Sequence, residues 1–176
     1  KFASGNQAAY FPSGAIAWRI SEENFMKKIH WVDELKLRIS AGYTGSQSIG
    51  DYLFRSLYTA TSYAGASGLV PTQLGNDEIE WERTLQKDLG LDFSLFKARL
   101  RGTIGYYDKT TEGLLLNITP PPSYAYGSII MNIATIENKG LEIDLRGDIF
   151  RTKNFQWNSA LNISRNRSKV TRVNGG

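Results

Sequence analysis

Few of the 176 residues could do covalent chemistry. The chain has no cysteine, which removes disulfides, thiolate nucleophiles and thiolate metal ligands. Its one histidine, His30, stands between Ile29 and Trp31 with no second histidine and no cysteine nearby, and reads as a loop or interface residue. Asp108-Lys109-Thr110-Thr111-Glu112 brings acids, a base and hydroxyls together, but no nucleophile–base pair marks it and it falls at a strand end. Asn-x-Ser/Thr triplets begin at Asn117, Asn162 and Asn166, two of them on or beside expected strands, and read as chance. No catalytic residue, cofactor or metal is expected.

What remains is non-covalent chemistry. One set of candidates is polar residues repeating at every second position: Glu80, Glu82, Gln86, Asp88, Asp92, Arg99, Arg101, Glu142, Asp144, Arg146, Asn158 and Asn162. A wet wall, or the lining of a pore, is built from such a pattern. A second set is loop aromatics: Tyr52, Phe54, Tyr58 and Tyr63, then Tyr124 and Tyr126. Aromatic rings stack on sugars and anchor protein interfaces. The formal charge is +4, with acids and bases interleaved and no coherent basic patch, so no nucleic-acid partner is expected.

The elements that must position these residues are strands. From Ile79 to Phe93 the odd positions are mainly apolar and the even ones polar, with Arg83 and Lys87 as exceptions whose stems can lie along apolar surface. From Ala98 to about Tyr107 the apolar face is even: Ala98, Leu100, Gly102, Ile104, Tyr106. A tight link would set Phe93 opposite Ala98, Leu91 opposite Leu100 and Asp92 opposite Arg99. Leu141–Ile149 and Phe155–Ile163 form a second hairpin by the same rule, with Ile149 facing Phe155 and Trp157 covering Gly147. Ile16–Ile20 and Leu35–Tyr43 form a third, joined through Ser21–Lys28, which could hold one helical turn.

The fold expected is therefore all-β: an antiparallel up-and-down meander of about six strands. Links within hairpins are short to moderate, while those between hairpins, about Thr44 to Asp77 and about Thr110 to Thr135, are long. Short turns at one edge and long loops at the other are the pattern of an outer-membrane barrel, whose alternating strands never build the long apolar run of a membrane helix. Aromatics gather near the turns (Phe25, Trp31, Phe93, Phe96, Phe150, Phe155, Trp157), where an interfacial girdle would lie. A soluble carbohydrate-binding β-sheet domain with an apolar core face, and a structural or adhesive surface barrel, are the alternatives. The start at Lys1 and the end at Asn174-Gly175-Gly176 read as cut, so a piece of a longer protein is expected.

Several segments, in order, resemble the SusC/RagA type of TonB-dependent outer-membrane receptor. They are Phe11–Glu23, Leu35–Gly45, Trp81-Glu82-Arg83-Thr84, Gly90-Leu91-Asp92-Phe93, Tyr106–Thr111, Asn138–Glu142 and Trp157-Asn158. Departures from the family pattern include Ser46 in Gly45-Ser46-Gln47, Ala134 ahead of Asn138-Lys139-Gly140, Pro120-Pro121-Pro122 and Tyr124-Ala125-Tyr126. The resemblance implies that residues 1–176 belong to the carboxy-terminal part of a barrel of about 22 strands, with plug, TonB box and earlier strands absent. It further implies import of glycans or peptides across the outer membrane. The implied partners are a SusD-like surface lipoprotein, TonB through the missing amino-terminal region, outer-membrane lipid, and the glycan or peptide ligand.

Overall fold

The computed structural model describes residues 1–63, 65–121, 123 and 127–173, and the side chain of Tyr63 is not described. Among the described residues eight strands form, in chain order: β1 (Ser13–Arg19), β2 (Val32–Ser46), β3 (Leu57–Tyr63), β4 (Ala66–Gln73), β5 (Glu82–Leu95), β6 (Leu100–Ile118), β7 (Ile129–Arg151) and β8 (Gln156–Val173). Six make one open antiparallel sheet in the order β1-β2-β5-β6-β7-β8. The other two form a separate hairpin, β3-β4, within the β2–β5 connection.

Alternation does in the sheet what period two requires: residues directly opposite each other share a face, so rows form across the strands. One row reads Trp18, Leu37, Leu91, Ile104, Ile143, Ile163 and crosses all six strands. The next reads Leu35, Phe93, Gly102, Leu145, Leu161. On the opposite face the rows are Lys36, Asp92, Thr103, Asp144, Asn162 and Arg38, Gly90, Gly105, Glu142, Ser164. The apolar face is uncovered: Ile39, Leu89, Leu161 and Ile163 are each about half exposed. The only buried hydrophobic residues among those described are Phe2, Ile79 and Ala134. Ile79 and Ala134 lie at the end of the sheet that carries the long connections.

Both expected hairpin registers need correction. β5 runs on to Leu95, which faces Leu100, so Phe93 meets Gly102, Leu91 meets Ile104 and Asp92 meets Thr103 rather than Arg99. The link turns through Phe96, Lys97 and Ala98, all at left-handed φ (+59°, +58° and +60°). Three contacts hold it there: Phe96 N–H donates to the Trp31 carbonyl (2.8 Å), Ala98 N–H to Asp33 Oδ2 (2.8 Å), and the Phe96 and Trp31 rings stack at 5.7 Å. Contacts from the β1–β2 link therefore stabilise a turn the local sequence disfavours. The slip is even, so every side chain keeps its expected face.

In β7–β8 an irregularity between Asp148 and Phe150 sets Phe150, not Gly147, opposite Trp157; Gly147 meets Ser159 and Ile149 no longer faces Phe155. The Trp157 ring stacks on Phe150 at 6.1 Å. Aromatic cover of a glycine occurs instead at Gly102, where a Cβ would stand 2.7 Å from the Phe93 ring tip and equally close to the Asp144 carbonyl.

The long links carry more strand than expected. The first contains β3-β4, and most of the second is strand, since β6 reaches Ile118 and β7 begins at Ile129. The helical turn is a 3-10 turn at Ile20–Glu22, at the start of the Ser21–Lys28 link.

Candidate functional site

Three regions gather polar or aromatic side chains: the polar face, the base of the long connections, and the β3-β4 hairpin. On the polar face, Arg38 holds Asp92 with two bonds, Nε to Oδ2 at 2.7 Å and Nη2 to Oδ1 at 2.8 Å. Thr103 Oγ1 donates to the same carboxylate at 3.1 Å. The planar fork suits a carboxylate one strand away, and the pair is partly solvated, so it fixes geometry more than stability. Four residues nearer the loops along β5, Asp88 accepts from Ser40 Oγ (3.2 Å) and Gln86 Nε2 (3.0 Å). Tyr107 lies over Gly140 and donates to Asn166 Oδ1 at 2.9 Å. Glu142 lies on this face next to Ser164, and Asp144 pairs with Arg146 along its own strand at 3.3 Å. Two shallow depressions of about 620 and 750 Å³ lie here, lined in part by Arg38, Asp88, Thr103, Glu142, Asp144, Arg146, Asn158 and Asn162.

Not every polar candidate is brought to this face. Arg99 sits in the β5–β6 turn, where its Nη2 donates to the Ile149 carbonyl at 3.3 Å. Arg101 is on the face, and its Nε donates back to the Ala98 carbonyl. Glu82 is spent on the backbone: its Oε1 accepts from Leu115 N–H at 3.0 Å, beside the register shifts around Leu114. Glu80 lies outside the strands, its N–H and carbonyl both held by the side-chain amide of Asn132. Arg38, Thr103, Tyr107 and Asn166 were missed because they lie on strands whose partners were not yet in register. Only the pairing of β2 with β5 makes Arg38 and Asp92 neighbours.

Aromatic rings and side-chain amides bond together the base of the long connections. Trp81 is stacked by Phe2 (5.2 Å) and met edge-on by Phe11 (5.9 Å), while its Nε1 donates to the Asn6 carbonyl at 3.0 Å. Asn6 Nδ2 donates to the Ile79 carbonyl. Asn132 Nδ2 donates to the Gly113 carbonyl at 2.7 Å, and Asn76 Nδ2 to the Ile130 carbonyl at 2.9 Å. Side-chain amides thus satisfy backbone groups that the broken ladder leaves unpaired.

Above this base stands β3-β4, tied down by Gln73 Nε2 to the Tyr52 and Arg55 carbonyls and by Gly75 N–H to Ser56 Oγ. Tyr58 (57% exposed) and Leu69 (72%) lie two rungs apart on one face of the hairpin. Tyr52 is exposed, whereas Phe54 is half-buried with the Arg55 guanidinium 5.3 Å above its ring. Tyr63 ends β3; Tyr124 and Tyr126 lie outside the described residues. The hairpin had a sequence signal: Leu57–Tyr63 is rich in threonine and aromatics and is followed by Gly65, which takes φ +84° at the turn.

An open meander with an uncovered apolar face, a charged opposite face, short turns at one end and a bonded loop base at the other is part of the wall of a membrane β-barrel. Residues 1–175 match the family "TonB dependent receptor-like, beta-barrel". The chain belongs to that family, and within it to the SusC/RagA type. It is 40% identical over 161 residues to TonB-dependent receptor P39 of Formosa agariphila, covering 91% of this chain and 16% of that protein. It is 32% identical over 185 residues to TonB-dependent receptor SusC of Bacteroides thetaiotaomicron, covering all of this chain and 18% of SusC. Its backbone superposes on the RagAB peptide importer in the "closed-closed" state with TM-score 0.91, at 29% identity over 99% of this chain and 19% of that one. The chain thus spans less than a fifth of the length of these relatives.

Proposed function

We propose that this chain is a carboxy-terminal segment of the barrel wall of an outer-membrane transporter that imports glycans or peptides. Energy would come through TonB acting on the amino-terminal region, and a SusD-like surface lipoprotein would cover the mouth. The observation that carries the reading is the two-faced sheet: an unbroken apolar row from Trp18 to Ile163 on one side, and the Arg38–Asp92, Ser40–Asp88 and Asp144–Arg146 contacts on the other. A backbone in hydrocarbon must be fully paired, which a closed barrel containing this sheet achieves. A soluble sheet would bury the apolar row, and this one leaves it bare.

In this reading the polar face lines the path around the plug. Asp88, Asp92, Arg101, Glu142, Asp144 and Arg146 lie on it; Glu82 stiffens the loop base and Arg99 the turn. Tyr58 and Leu69 on the β3-β4 hairpin, with Tyr52, form the contact with the lipoprotein or with a bound glycan or peptide. Uptake of labelled oligopeptides and oligosaccharides by cells lacking the parent gene, and by cells complemented with it, is the test. Loss of uptake of one class, restored by complementation, is the expected result; unchanged uptake of both would leave a structural or adhesive barrel as the better account.

A further inference from the structure

On the outward face, the apolar band ends abruptly toward the long connections. The row Ile39, Leu89, Tyr106, Leu141, Arg165 is followed by Ala41, Lys87, Asp108, Lys139, Arg167, and then by Tyr43, Leu85, Thr110, Glu137, Lys169. Five cations and two carboxylates thus share a patch four strands wide, roughly 14 Å at ordinary strand spacing. Both carboxylates are engaged by one cation: Lys139 Nζ lies 3.1 Å from Asp108 Oδ2 and 3.8 Å from Glu137 Oε2. Lys87, Arg165, Arg167 and Lys169 have no ion-pair partner among the described residues.

We propose that this patch binds the phosphate of an anionic lipid in the leaflet on the loop side of the barrel. The inference rests on the barrel reading above. Position selects the occupant: the cations stand immediately beyond the leucine and isoleucine rows and beside the Tyr106 phenol, at the depth where acyl chains end and headgroups begin. Two guanidinium forks two residues apart on β8 present paired donors to a phosphate, and the stems of Lys87 on β5 and Lys169 on β8 are long enough to lie along apolar surface while their charges reach outward. A lipid satisfies both halves of the surface, chains on the apolar rows and phosphate on the cations. A free phosphate ion satisfies only one.

The test uses the full-length parent transporter, purified in a neutral detergent and titrated by native mass spectrometry. The probes are dioleoyl phosphatidic acid, dioleoyl phosphatidylcholine and inorganic phosphate. The parent is expected to retain phosphatidic acid over phosphatidylcholine. R165Q/R167Q/K169Q is expected to weaken that retention about tenfold or more, given roughly a few-fold per surface cation. K87Q alone, on a different strand, should weaken it about threefold, and K36Q, on the polar face, should leave it unchanged. Retention within about twofold of the parent in both R165Q/R167Q/K169Q and K87Q overturns the proposal, as does displacement of the lipid by equimolar inorganic phosphate. Quenching of Trp157 by acyl-brominated phosphatidylcholine, isolated by difference with W157F, reports separately on the barrel itself. Its absence removes the barrel reading, whereas quenching with unaltered lipid retention removes only the lipid site.

Discussion

Placing one arginine at matched depth on the two faces of the sheet gives the sharpest test of its orientation. Leu145 lies on the outward face between Gly102 and Leu161. Along β7 it is six residues from Lys139 on one side and five from Phe150, where the Phe150–Trp157 stack begins, on the other. At about 3.3 Å per residue and a tilt near 40°, those separations project to roughly 15 Å and 13 Å along the membrane normal. Leu145 is therefore at the midplane of a band about 28 Å tall, close to the thickness of a bilayer's hydrocarbon core. An arginine there should cost about 2–4 kcal/mol, beyond what the lost leucine contacts add. Asn162 lies at nearly the same height on the polar face, opposite Asp144. Asn162→Arg should change stability by less than about 1 kcal/mol, since an exposed pair with Asp144 is worth little either way. The assay is denaturant unfolding of the parent barrel refolded into phosphatidylcholine vesicles, followed by tryptophan fluorescence. If Leu145→Arg costs no more than Asn162→Arg, the outward face does not meet lipid and the assignment of faces fails.

Three further substitutions probe local devices. Gly140→Ala puts a methyl group into the Tyr107 ring and within 2.6 Å of Asn166 Oδ1, so a loss of about 1–3 kcal/mol is expected; adding Tyr107→Ala should recover part of it in the same unfolding assay. Ala98→Gly removes the Cβ from a left-handed position and should gain up to about 1 kcal/mol, while Asp33→Ala, which strips the acceptor from Ala98 N–H, should lose about 1 kcal/mol or more. Asn132→Ala leaves the Glu80 and Gly113 backbone groups without their side-chain partners. Limited proteolysis should then cut between residues 74 and 81 faster than in the parent, and equal rates would show that Asn132 does not anchor the loop base.

The faces of the sheet were legible in the sequence; the strand offsets were not. Alternation assigns a side chain to a face by parity alone, and both hairpins keep the parity of Leu91, Leu145 and Leu161 although their turns were misplaced. Offset depends on the turn, and the β5–β6 turn is set by Trp31 and Asp33, more than sixty residues upstream of it in the chain. No local rule could anticipate three successive non-glycine residues at positive φ. The length of β6 and β7 was underestimated for a related reason. Beyond Tyr107 and before Leu141 the alternation is blurred by Asp108, Thr110, Glu137 and Lys139, since the outward face there is charged instead of apolar.

The motif residues that carry the family resemblance turn out to hold backbone and wall rather than to offer themselves to a ligand. Trp81 packs the loop base, Glu82 caps Leu115, Asn138 bonds Ser168, Lys139 engages Asp108, and Gly140 makes room for Tyr107. Of the departures from the family pattern, Ser46 is the last residue of β2 and Pro120 and Pro121 follow β6, whereas Ala134 lies buried within β7; Pro122, Tyr124 and Tyr126 lie outside the described residues. Under the proposed function, a wall can therefore stay constant while selectivity changes, because the bonded base around Trp81 and Asn132 isolates the sheet from whatever the loops above it become.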